Sequence, residues 1–117
     1  MGKYNVYLSE PAEQDLDEIS IYISTQLLVP ETAEDLIDTF YQAMSSLSSM
    51  PKRHPLVNDV FLANLGYRML PVKSYLVFYS VNEMPNGLRE VNIERVLYGR
   101  RDWQNILNPK ELGNEYC

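Results

Sequence analysis

The sequence predicts an α+β fold: an N-terminal strand, a helical hairpin, then a three-strand antiparallel meander packed on the helices. Three observations carry this. Residues 12–27 and 33–47 each repeat apolar side chains at helical spacing. After Gly66 the pattern changes to short runs rich in tyrosine, valine and leucine, separated by turn residues. Apolar residues make up 45% of the 117 positions, enough for one buried core and too many for a disordered chain.

The elements follow in order. Tyr4, Val6 and Leu8 alternate with Asn5 and Tyr7, as a short strand requires. Ser9 is placed to cap the next helix, with Glu10 and Pro11 in its first turn, where negative charge and proline are both tolerated. That helix carries the stripe Ala12, Leu16, Ile19, Ile23 and Leu27. Pro30 breaks the pattern and opens a second helix, with Ala33, Leu36, Ile37, Phe40, Met44 and Leu47 on one face. The carboxylates of these helices read as a solvated face. Serines and two prolines mark residues 48–55 as a loop, and residues 56–66 fit no single pattern. Residues 67–72 form a strand whose Pro71 suits an edge or a bulge. Residues 75–81 are nearly all apolar, so both faces of this central strand should be covered. Pro85-Asn86-Gly87 is a turn, and residues 89–98 form the last strand. The chain divides into a single domain over residues 1–108 and a polar tail over 109–117.

Charge and composition narrow the function. The net charge of -6 argues against a general nucleic-acid coat, and the acidic residues crowd into the first third. The one cysteine, Cys117, permits neither a disulfide framework nor a cysteine metal site, which suits a reducing cytoplasm. No apolar run reaches the length of a membrane span, and the N-terminus lacks a signal-peptide layout. A cytoplasmic protein without metal or cofactor is expected. There is no glycine-rich phosphate loop, no Gly-x-Ser-x-Gly elbow and no pair of histidines for a two-histidine ribonuclease.

What stands out is residues 95–103, where Arg95, Arg100, Arg101 and Asp102 cluster around Gly99. By simple alternation Arg95 shares a face with Val91, Ile93 and Leu97. Either a bulge shifts the phase, or Arg95 lies in a groove where charge is wanted; alternatively it pairs with a carboxylate such as Glu94 or Asp102. Arg68 and Lys73 bracket the turn between the second and third strands, and Arg100 and Arg101 follow the last strand. Not all five cations can share one site. Arginines offer bidentate contacts to phosphate, but a solvated rim is the plain alternative. His54, beside Lys52 and Arg53 in a proline-flanked loop, could act in proton transfer or be a surface histidine. Tyr67, Tyr75, Tyr79 and Tyr98 fall on the sheet, as half-buried residues or as stacking and proton-donating groups.

The stretches Tyr4–Ala12, Tyr67-Arg68-Met69-Leu70, residues 75–81 and residues 95–102 together resemble toxins of the RelE/ParE superfamily, over nearly the whole chain to about Leu107. The resemblance implies the same order of elements and a growth inhibitor neutralised by a cognate antitoxin in a type II toxin–antitoxin module, of the plasmid-stabilisation type. One branch of that superfamily cleaves messenger RNA, usually on the ribosome, and is called an mRNA interferase; the other inhibits DNA gyrase without catalytic residues. On the first reading, Arg68, Arg95 and Arg101 would hold phosphate and Tyr98, where many relatives carry histidine, would assist proton transfer. Lys52, Arg53, Lys73 and Arg100 would be binding residues. The sequence departs from the pattern at Leu76, where a second arginine often stands. Ribosome-dependent cleavage is the leading expectation, gyrase inhibition the alternative, and a non-toxic binding remnant the third. A homodimer and a heteromeric complex both remain open.

Overall fold

The computed structural model describes residues 3–26, 30–100, 106 and 107. Its elements are β1 (Asn5–Leu8), α1 (Glu10–Ile21) continued by a π-helical turn (Tyr22–Gln26), α2 (Pro30–Ser45), a short α3 (Val60–Asn64), and the strands β2 (Arg68–Val72), β3 (Tyr75–Glu83) and β4 (Arg89–Tyr98). Helical turns at Ser46–Ser48 and Pro51–Arg53 interrupt the loop between α2 and α3. The four strands form one sheet in the order β1-β4-β3-β2. The meander is antiparallel, and β1 joins it by lying parallel to β4. A parallel neighbour needs a long crossover, which the helical hairpin and the meander supply.

The predicted helix start holds: Ser9 accepts a hydrogen bond from the Ala12 N–H at 3.1 Å. The predicted turn holds as well. Gly87 adopts φ +90°, and the Asn86 side chain accepts from the Leu88 N–H at 3.1 Å. Residues 56–66, which fit no pattern, contain α3, capped by Asp59 through the Leu62 N–H at 3.0 Å. Gly99 lets the end of β4 approach the β2–β3 turn. A Cβ there would sit 3.1 Å from the Ser74 carbonyl oxygen, the same atom that accepts the Gly99 N–H.

Two clusters form the core, one on each face of the sheet. Beneath the hairpin, Ala12, Leu16, Phe40, Met44 and Leu47 pack on Leu70, Val77, Tyr79, Val91, Ile93 and Val96. On the opposite face, Val57, Leu62 and Leu107 cover Phe78 and Leu97. The expectation that β3 is covered on both sides is met, and Val77, Phe78 and Tyr79 are fully buried. No helix among the described residues is long and apolar enough to cross a membrane.

The phase of β4 differs from simple alternation. Tyr79 lies opposite Ile93 while Phe78 lies opposite Arg95, so Glu94 is an extra residue, a β-bulge. After it the faces exchange. Val96 joins Val91 and Ile93 under the helices, and Leu97 turns to the other face. Simple alternation had placed Leu97 with Val91 and Ile93. The carboxylates of α1 are also not all solvated: Asp15 is buried.

Candidate functional site

The bulge lies where β1 stops. β1 pairs only with residues 90–93 of β4, so the next part of that edge needs other partners. The start of α1 supplies them. The Ser9 N–H donates to the Ile93 carbonyl at 3.0 Å, and the Ser9 hydroxyl donates to that of Glu94 at 3.0 Å. Nearly two turns further, Asp15 Oδ2 accepts the Val96 N–H at 2.9 Å.

Asp15 also settles the position of Arg95. The guanidinium donates through Nε to Asp15 Oδ2 at 2.7 Å and through Nη2 to Oδ1 at 2.9 Å. This is the bidentate geometry that makes arginine–carboxylate pairs strong. The bond from Asp15 is the largest cause that raises the Arg95 pKa above its ordinary value; partial burial opposes it. Two of the readings for Arg95 thus have a counterpart, a bulge and a carboxylate; among the described residues that carboxylate is Asp15 rather than Glu94, and Asp102 lies outside them. A signal for it exists in the sequence. Asp15 lies three residues after Ala12 and four before Ile19, inside the apolar stripe of α1.

Arg68 is also engaged. Its guanidinium donates to the carbonyls of His54 at 2.7 Å and Lys52 at 3.3 Å, fastening the loop against β2. Arg68 lies opposite Tyr79 and Arg95 opposite Phe78, so the two arginines belong to opposite faces of the sheet. Arg53 wraps the end of α2, donating to the carbonyls of Ser46, Ser49 and Met50. Lys52 pairs with Glu83 at 3.3 Å. Lys73 is exposed in the β2–β3 turn at φ +55°, and Arg100 is exposed beyond β4. Arg101 and Trp103 lie outside the described residues.

Tyr98 is at the end of β4, its ring edge-on to Tyr75 at 5.6 Å. With Tyr22, Asp15 and Glu18 these tyrosines line a cleft of about 560 Å³ between α1 and the sheet. The cleft is acidic and aromatic, and no lysine or arginine lines it among the described residues. Tyr98 lines this cleft, and Arg68 and Arg95 do not.

His54 lies edge-on to Tyr79 at 6.4 Å, its Nε2 buried without a hydrogen-bond partner. Burial, reinforced by the charge of Arg53, pushes its pKa below the usual 6.5. The Tyr79 hydroxyl donates to the Pro51 carbonyl at 2.6 Å, and burial raises its pKa. Among the described residues no group of three or more His, Cys, Asp or Glu side chains is arranged to hold a metal ion.

Sequence reasoning did not single out two cations, Lys3 and Arg89. They meet Lys52 at the far end of the sheet in a hollow floored by Tyr4 and Met50. The three are distant in sequence, so no local pattern announces them.

A family model described as the ParE toxin of the type II toxin–antitoxin system parDE matches residues 6–103. The fold is similar to that of a chain in the chromosomal ParDE toxin–antitoxin system of P. aeruginosa. The TM-score is 0.64 at 18% identity, over 82% of this chain and 96% of that one. It is also similar to a chain of the RelBE2 toxin–antitoxin complex of Mycobacterium tuberculosis, with TM-score 0.53 at 18% identity, over 82% and 98%. No curated protein sequence matches the chain.

Proposed function

The chain belongs to the ParE toxin family of type II toxin–antitoxin systems, and on that premise we propose that it arrests growth by binding DNA gyrase rather than by cutting RNA. The observation that carries this is the engagement of Arg95. Its guanidinium forms a bidentate pair with the buried Asp15 and so serves the joint between α1 and β4. Arg68 likewise serves the loop it fastens. A phosphate-cleaving site needs cations aimed at the place where charge develops in the transition state, and these two face away from each other.

Binding of a protein target also fits the surface. Ile21, Tyr22 and Tyr41 are exposed on the helical hairpin, and Val60 and Leu65 are exposed around α3. Large apolar side chains of this kind supply the core of protein interfaces. A cognate antitoxin is the partner that neutralises the toxin by covering part of that surface.

The test is a pair of assays with purified protein. Gyrase supercoiling should fail in its presence, and recover when Tyr22 and Tyr41 are both changed to Ser. Primer extension on messenger RNA from arrested cells should show no new cuts. Codon-positioned cuts with normal supercoiling would sink the proposal and restore the RNA-cleaving reading, with Arg68, Arg95, Tyr98 and Arg101 as its residues.

A further inference from the structure

The basic hollow at the far end of the sheet has a volume of about 440 Å³. Lys3 precedes β1, Lys52 belongs to the helical turn after α2, and Arg89 begins β4. Three cations so placed are unexpected in a chain of net charge -6. One carboxylate, Glu83, stands beside them. It lies opposite Arg89 in the strand register, and it accepts from Lys52 and from the Tyr4 hydroxyl. Those bonds hold its pKa below the usual range. Neither Lys3 nor Arg89 makes an ion pair within 4 Å among the described residues.

The floor of the hollow is apolar, made by Tyr4, Met50 and Pro51. Met50 is 72% exposed and held at φ +50°. Its carbonyl is fixed by the Arg53 N–H at 3.1 Å and by the Arg53 guanidinium at 3.2 Å. An exposed methionine on a fixed backbone, beside cations without ion-pair partners, is an adaptable apolar contact next to positive charge.

We propose that this hollow binds an acidic, apolar peptide segment of a partner protein. A carboxylate of the partner sits between Lys3 and Arg89, and the aliphatic side chain next to it packs on the exposed Met50. Nucleic acid fits less well, for two reasons. Base stacking needs an open aromatic face, whereas the Arg89 guanidinium lies 5.9 Å from the centre of the Tyr4 ring. The net negative charge repels a long polyanion more than it repels one carboxylate. The site lies at the opposite end of β4 from the tyrosine cleft, and its occupancy does not depend on which enzyme the toxin inhibits.

The probe is a short fluorescent peptide alternating Asp and Leu, read by anisotropy at low salt against the full chain. Binding should weaken as salt rises. Lys3→Glu combined with Arg89→Glu should weaken it by about tenfold, and Met50→Ser by about threefold. Gln14→Glu, on α1, adds a negative charge away from the hollow and should leave binding unchanged. Circular dichroism melts of each variant show that the fold is intact. The proposal is overturned if the peptide fails to bind, if a Ser-for-Asp peptide binds equally, if the double variant binds normally, or if labelled oligothymidylate binds more tightly.

Discussion

The two ends of β4 carry opposite electrostatic characters, and neither is the one its local sequence suggests. The end at Tyr98 leads into the densest run of arginines in the chain, yet the cleft beside it is lined by Asp15 and Glu18. The end at Arg89 follows an unremarkable turn and faces a hollow with three cations. The strand has 10 residues, so about 30 Å separates them. The difference teaches that the charge of a site here is set by what the fold brings to the strand from elsewhere. At one end α1 delivers carboxylates; at the other the segment before β1 and the loop after α2 deliver lysines.

Removing Arg95 should have the largest effect. Arg95→Ala leaves Asp15 buried with one hydrogen bond from the Val96 N–H and no counter-ion. We expect a loss of about 3 kcal/mol in urea unfolding. Arg100→Ala, at an exposed position near the same end, should cost about 0.5 kcal/mol or less. Equal costs would break the distinction between a structural and a surface arginine.

Tyr79→Phe comes next. It leaves the buried Pro51 carbonyl without its donor, at a cost of about 1.5 kcal/mol by the same measurement. Because Lys52 follows Pro51 directly, peptide binding at the basic end should weaken as well, while the tyrosine cleft is unaffected. Ser9→Ala removes both the cap of α1 and the hydroxyl that covers the Glu94 carbonyl. A loss of about 1 kcal/mol is expected in thermal melts.

The smallest effect is a pH dependence. His54 titrates near its ordinary 6.5 in the unfolded chain and lower when folded. Between those two values the unfolded chain holds more protons, so acid favours unfolding. The neutral imidazole costs nothing above 6.5, and stability declines as pH falls below it towards the folded value. The slope of unfolding free energy against pH in that window should be shallower in His54→Gln. An unchanged slope would assign it to other groups.

Much of the fold was readable because it rests on local patterns. The hairpin stripes, the Ser9 cap, the covered β3 and the Gly87 turn each depend on residues a few positions apart. The site was less readable because its determinants are distant. Asp15 and Arg95 are 80 positions apart, and although Asp15 stands inside the apolar stripe of α1, nothing local names its partner until β4 is placed beside it. The bulge at Glu94 is invisible to alternation, since one extra residue leaves composition unchanged while exchanging the faces of all that follows. Lys3 and Arg89 gave no signal, because neither lies in a cluster along the chain.

The joint between β1 and β4 also sets when the protein can fold. Among the described residues β1 has no strand partner other than β4, and Ser9 and Asp15 reach across to β4 at residues 93–96. During synthesis the N-terminal segment waits for nearly the whole domain to leave the ribosome before its hydrogen bonds can form. A truncated product that stops short of β4 cannot close the sheet. The folded toxin is thereby confined to chains already translated through β4.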